Sequence, residues 1–226
     1  MSSRLTKTLQ LIIILLVPVL IVFTATRFLT TDRFLAYEYG RAGFPPDPFG
    51  FTERQRFVLA STNVHYVLAH LPDDELAKQT QDGVPVYSSR EVTHMADVRA
   101  VFLFVMRTWQ GSIILFILTG LTLWQRGRRK ELVSAIRSGG ILTTGLIGSI
   151  TLVAFFAWQS WFENFHLLFF KPGSWLFSYS GTLIRLFPLQ FWMDATFIIS
   201  TTSFVGGLSL AIIGWRWERV QSSPVK

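Results

Sequence analysis

The sequence predicts an all-α integral membrane protein with four transmembrane helices, a small helical extracytoplasmic cap and a re-entrant or interfacial aromatic segment. Three observations carry that expectation. First, only 15% of the 226 residues are charged, against about 25% in an ordinary soluble domain. Four stretches carry no charge at all: residues 8–26, 108–125, 138–162 and 195–215. A helix needs roughly 20 mostly apolar residues to cross a ~30 Å hydrocarbon core, and in lipid it satisfies its own backbone without closing a barrel. Second, the excess of positive charge is one-sided. The N-terminal tail, the 125–137 loop and the C-terminal tail together hold Arg4, Lys7, Arg126, Arg128, Arg129, Lys130, Arg137, Arg216, Arg219 and Lys226, against only Glu131 and Glu218. Short loops rich in Lys and Arg stay in the cytoplasm, and all three fall on one side if the spans number four. Third, the region between the first two spans is polar and punctuated by turn and helix-start signals, as a cap would be.

Taken in order, the chain reads as a single membrane domain over 1–226, with spans at about 8–28, 99–125, 139–162 and 192–215. The first span is expected to be a retained anchor, because its apolar run is long for a secretory signal. The outer region, 30–97, opens with the turn-rich run Gly43-Phe44-Pro45-Pro46-Asp47-Pro48-Phe49-Gly50, which reads as loop. Thr52 and Gln55 stand at capping-box spacing. Phe57, Ser61, Val64, Leu68 and Leu71 then share one helical face, on a helix too polar to span. Pro72-Asp73-Asp74-Glu75 reads as a second short helix start and Asp82-Gly83 as a turn. Ser88 with Glu91 forms a further capping box, and the helix it opens should run unbroken into the second span. The third span carries Gly145 and Ser149 at a small-xxx-small step, read as helix packing. The outer interfacial loop, 163–191, is rich in aromatic residues but interrupted by Pro172-Gly173 and Pro188; its longest uncharged run is too short to cross.

This charge distribution points to anionic lipid head groups as the partner of the basic face and argues against a nucleic-acid surface. With no cysteine, disulfides, thiol catalysis and Cys-based metal sites are excluded. No signature of a particular oligomeric state stands out.

All four histidines, His65, His70, His94 and His166, fall on the expected outer side. Two have a carboxylate at helical spacing: His94 with Asp97 at the end of the second span, Glu163 with His166 at the end of the third. Residues three apart share a face, so both pairs should lie at similar depth, and titratable groups at a membrane interface are candidate functional groups. Two imidazoles and two carboxylates could also ligate zinc or iron. However, HExxH is absent and ExxH alone is weak, so no metal is expected. Plain hydrogen-bonded surface pairs are the structural alternative.

At these residues the chain resembles a known family. The run Arg90-Glu91-Val92-Thr93-His94-Met95-Ala96-Asp97-Val98 resembles the E-x-x-H-M-x-D-V signature of a four-span bacterial membrane family that includes the lipoprotein intramolecular transacylase, Lit. The run 162–170 resembles its second signature, F-x-x-F-H-x-x-F-F. The resemblance implies transfer of the sn-2 acyl chain of a diacylglyceryl lipoprotein to its own N-terminal cysteine amine. It also implies that His94 and His166 are catalytic. Histidine suits both proton removal from the amine and proton delivery to the departing alkoxide. Asp97, Glu163 and Glu91 are the expected supporting groups, with Arg90 as a donor to the oxyanion and backbone amides as the alternative. Phe165, Phe169, Phe170 and Trp175 are expected to line an acyl slot, the alternative for that segment being packing and an aromatic belt. Ester to amide is downhill, so no cofactor is expected. The partners are membrane lipids and the lipoprotein itself, in the bacterial cytoplasmic membrane with both termini cytoplasmic. The rival readings are a non-catalytic membrane partner or assembly protein, another lipid-active acyltransferase or hydrolase, and a metal-dependent intramembrane hydrolase.

Overall fold

A computed structural model describes residues 2–222; Lys226, counted above with the basic tail, lies outside the described residues. Among these residues nine helices and one short hairpin form, in the order α1 (Ser3–Leu29), α2 (Asp32–Gly40), α3 (Glu53–Val67), α4 (Glu75–Lys78), β1 (Thr80–Gln81), β2 (Val84–Pro85), α5 (Ser89–Gln125), α6 (Arg129–Phe156), α7 (Trp158–Phe169), α8 (Thr182–Leu186) and α9 (Leu189–Ser222). Four of them, α1, α5, α6 and α9, are long and apolar enough to cross a membrane. Leu15, Ile114, Leu118, Leu152 and Ile213 on these helices are each more than half exposed. Such surface suits lipid rather than water.

The chain divides into two compact units, one from Met1–Thr26, Arg107–Phe156 and Phe197–Lys226, the other from Arg27–Met106 and Ala157–Thr196. In the first, Ile13, Val17, Leu123 and Ala135 form a buried apolar cluster. Close helix approach rests on glycine: a Cβ at Gly140 would lie 2.5 Å from the Gly207 carbonyl oxygen, and one at Gly139 2.7 Å from Val17 Cβ. This is the small-residue packing that lipid-embedded helices use. The step expected at Gly145 and Ser149 is not where it happens. Gly145 has nothing within 4 Å of its Cβ position, and Ser149 Oγ donates back to the Gly145 carbonyl within α6.

The second unit is built from the 30–97 region, the first turns of α5, the 157–188 stretch and the start of α9. Its core is two apolar clusters, one around Tyr66, Val67, Leu76, Tyr87, Met95, Leu183 and Leu186, the other around Leu35, Ala60, Val64 and Phe191. Thr52 and Gln55 close their capping box at the start of α3. Asp82 and Gly83, with φ of 51° and 79°, turn the β1–β2 hairpin, as two central residues with positive φ do. The 43–51 loop is held by Arg185, which makes a two-point pair with the buried Asp47 carboxylate.

Two elements differ from the expectation. Residues 32–40 form α2, capped by the Thr31 hydroxyl accepting from the Phe34 amide; its signal is the Thr31-Asp32 start, with an acid in the first turn. The third span was expected to run to 162, but the helix breaks at Ala157, where φ is −137° and ψ 50°. No Gly or Pro marks that break, so composition alone runs through it. Glu163 and His166 therefore sit on the separate helix α7 and not on the end of α6. By contrast, α5 runs unbroken for 37 residues, about 55 Å at 1.5 Å per residue. A span at 99–125 leaves 89–98 beyond the ~30 Å core.

Candidate active site

His94 is placed by the first turn of α5. The Ser88 amide and hydroxyl both donate to Glu91 Oε2 at 2.9 Å, and the Glu91 amide donates back to Ser88 Oγ at 3.3 Å. The other oxygen, Oε1, accepts from the Leu183 amide at 2.8 Å. With its carboxylate fully engaged, Glu91 can be buried, at 3% exposure, which an unpaired carboxylate could not sustain. His94 lies three residues further on, on the same face, and is 8% exposed.

His166 is placed by α7. Its Nδ1 lies 2.8 Å from the Phe162 carbonyl oxygen. Because a carbonyl only accepts, Nδ1 carries the proton and Nε2 of the neutral ring holds the free lone pair. The ring packs against Phe162 at 4.1 Å, Trp175 at 5.2 Å and Phe170 at 5.8 Å between centroids. His94 packs against the same Phe170 at 5.0 Å and against Phe177 at 5.5 Å. The two imidazoles thus both pack against one phenyl ring, among aromatic side chains drawn from 162–177.

This setting keeps both rings neutral. Burial pushes the His94 pKa down to about 4, helped by the nearby His166 and opposed by Asp97. Burial also lowers that of His166, against the Phe162 carbonyl. Each imidazole can therefore accept a proton at neutral pH without first losing one. His94 Nδ1 is buried and has no protein partner.

The remaining expected residues fall in different places. Asp97 is exposed and reaches His94 only through its charge. Glu163 is exposed and accepts from Gln159 Nε2 at 2.5 Å; the Phe162 carbonyl takes the place expected for it beside His166. Arg90 donates to the carbonyls of Gly173 and Leu176, at 3.2 and 3.3 Å. It lies over the Phe177 ring. Arg90 and Glu91 thus hold the 173–183 segment at two points. Of the four slot residues, Phe170 and Trp175 touch the imidazoles, with Trp175 8% exposed. Phe165 meets His166 edge-on at 5.6 Å and stacks on Trp161, and Phe169 packs between Phe165 and Phe170. Phe177 and the Phe162 carbonyl were not anticipated. Phe162 was legible in principle, one helical turn before His166. Phe177 sits in irregular backbone with no periodic signal. Among the described residues no group of three or more His, Cys, Asp or Glu side chains converges.

Comparison with known proteins gives a consistent result. A protein from Aquifex aeolicus (strain VF5), described as uncharacterized, is 27% identical over 216 residues, covering 92% of this chain and 94% of its own. The in meso structure of the membrane integral lipoprotein intramolecular transacylase Lit from Bacillus cereus superposes with a TM-score of 0.79 at 17% identity, covering 98% of this chain and 100% of that one. A variant of that protein with one histidine replaced by alanine superposes at 0.59, also at 17% identity, covering 98% and 97%. At such identities the structures speak for the fold: a multi-pass helical membrane protein. The family model described as lipoprotein intramolecular transacylase Lit matches residues 8–192, and the chain belongs to that family.

Proposed function

We propose that this protein moves the sn-2 acyl chain of a diacylglyceryl lipoprotein onto the amine of its N-terminal cysteine, using His94 and His166, at the outer face of the bacterial cytoplasmic membrane. The observation that carries this reading is the pair of neutral imidazoles, one from each signature run, His94 buried and His166 half-buried, both packed against Phe170.

The amine nitrogen attacks the ester carbonyl. A new C–N bond forms and the nitrogen surrenders a proton. His166 Nε2, left free by the Nδ1–H bond to Phe162, takes it. As the tetrahedral intermediate collapses, the C–O bond to glycerol breaks, and the departing oxygen receives a proton from an imidazole. The products are an amide and a glycerol hydroxyl, with atoms and charge balanced and no external acyl donor. A general acid–base contribution of this kind is worth about 10²–10⁴ in rate. Holding amine and ester on one molecule supplies the proximity. Phe165, Phe169, Phe170 and Trp175 offer the acyl chain an apolar wall, and Arg90 and Glu91 position that wall.

The test is mass spectrometry of a lipoprotein N-terminus from cells with and without the protein. The acyl chain should move from glycerol to nitrogen only when the protein is present and both histidines are intact. A chain that stays on glycerol in both samples sinks the proposal.

A further inference from the structure

A second histidine pair lies on the second unit, at the end of α3 and the turn after it. His65 lies in the last turn of α3, and His70 follows the turn that closes it. That turn reverses through Ala69 in the left-handed region, φ 59°, a conformation uncommon for a residue with a Cβ. The His70 amide donates to the His65 carbonyl at 2.9 Å. The reversal brings His70 Nδ1 to 3.2 Å from His65 Nδ1. On the other side of the His65 ring, Nε2 lies 2.9 Å from Asp32 Oδ2, and Asp32 Oδ1 accepts from the Ser61 hydroxyl at 2.7 Å. A carboxylate only accepts, so the His65 proton sits on Nε2 and the Nδ1 lone pair points at His70.

From this arrangement we infer a binding site for one divalent transition-metal ion, of which Zn2+ is the representative, with His65 Nδ1 and His70 Nδ1 as its two protein ligands. Two nitrogens bound ~2.0–2.1 Å from a tetrahedral zinc lie about 3.3 Å apart, close to the separation observed. Asp32 does not reach the ion. It performs the outer role that carboxylates take behind metal-bound histidines, fixing the tautomer and the orientation of the ring. Ser61 in turn holds Asp32. Water fills the remaining positions. The half-exposed side chains of His65 and Asp32 leave the site open to solvent. Imidazole donors select zinc, copper or nickel over magnesium or calcium. The inference is independent of acyl transfer, since neither His94 nor His166 takes part.

The experiment uses the full chain in detergent, purified without a histidine tag, stripped with chelator and titrated with ZnCl2 by calorimetry. The intact chain should take up one Zn2+. His65→Gln and His70→Gln should each weaken uptake at least tenfold, and Asp32→Asn roughly tenfold, the cost typical of losing such a carboxylate. The double variant His94→Ala/His166→Ala should bind as the intact chain does. No uptake by the intact chain, or equal uptake by the Gln variants, overturns the inference, as does loss of uptake in the double variant. Should a Gln variant fold poorly, the unmodified chain answers alone. Added Co2+ should broaden the ring-proton resonances of His65 and His70 first, and broadening that begins elsewhere overturns the site.

Discussion

The two histidine pairs of this protein are built from the same residue and arrive at opposite chemistries. His94 and His166 both pack against Phe170 among aromatic rings, and among the described residues no carboxylate hydrogen-bonds to either imidazole. His65 and His70 meet directly, nitrogen to nitrogen, with Asp32 behind them. The aromatic setting strips solvent from the first pair and holds both rings neutral, ready to accept and return a proton. The carboxylate setting fixes the orientation of the His65 ring and leaves it open to solvent, the arrangement proposed to hold a cation. What distinguishes them is the surroundings, and the surroundings come from elements distant in sequence.

The largest expected effect on that contrast is the loss of either imidazole proposed to be catalytic. His166→Ala or His94→Ala should lower acyl transfer by about 10²–10⁴-fold with the thermal transition little changed, read by mass spectrometry of product against a melting curve. His65→Gln should leave the same rate within about twofold, as expected of a residue outside the reacting centre.

The next effect falls on the wall that excludes water. Glu91→Ala leaves the Leu183 amide and the Ser88 amide and hydroxyl without their acceptor. It should cost about 2–3 kcal/mol of stability, measured as a lower melting temperature, and reduce acyl transfer by releasing the 173–183 segment.

Acid should separate the pairs further. The His94 pKa is pushed down to about 4 in the folded chain from an ordinary 6.5. Between those values the unfolded chain binds more protons than the folded one. Stability therefore rises with pH across that window and is lost on acidification from about 6.5 towards 4. Melting temperature measured across it should fall as the pH is lowered, and His94→Gln should flatten the fall.

The smallest effect expected is at Glu163. Its carboxylate is exposed and committed to Gln159, so Glu163→Gln should change transfer by less than about threefold. A loss approaching that of His166→Ala would mean that Glu163 turns to the imidazole during the reaction.

Local rules sufficed for much of the fold. The uncharged runs marked the four long helices, and the Thr52–Gln55 and Ser88–Glu91 spacings marked two helix starts with the caps that form them. The unbroken passage of α5 into its apolar stretch was also legible, because nothing in 89–125 interrupts helical periodicity. The residues 32–40 were harder: the Thr31 cap was present, but the helix is short and its apolar pattern weak. The break at Ala157 carried no local mark at all.

The sequence by itself determined the lipid-compatible spans, the caps, the pairing of histidine with two signature runs and the absence of thiol chemistry, since each rests on composition or on spacing within a few turns. Only the tertiary structure decided that Glu163 faces Gln159, that Arg90 reaches the Gly173 and Leu176 carbonyls, and that the helix contact falls at Gly140 rather than Gly145. It also decided that His70 folds back onto His65. The reason is physical. A side chain's partner is whichever complementary group the packing of remote segments brings within about 3 Å, and no periodicity in one segment encodes where another will lie.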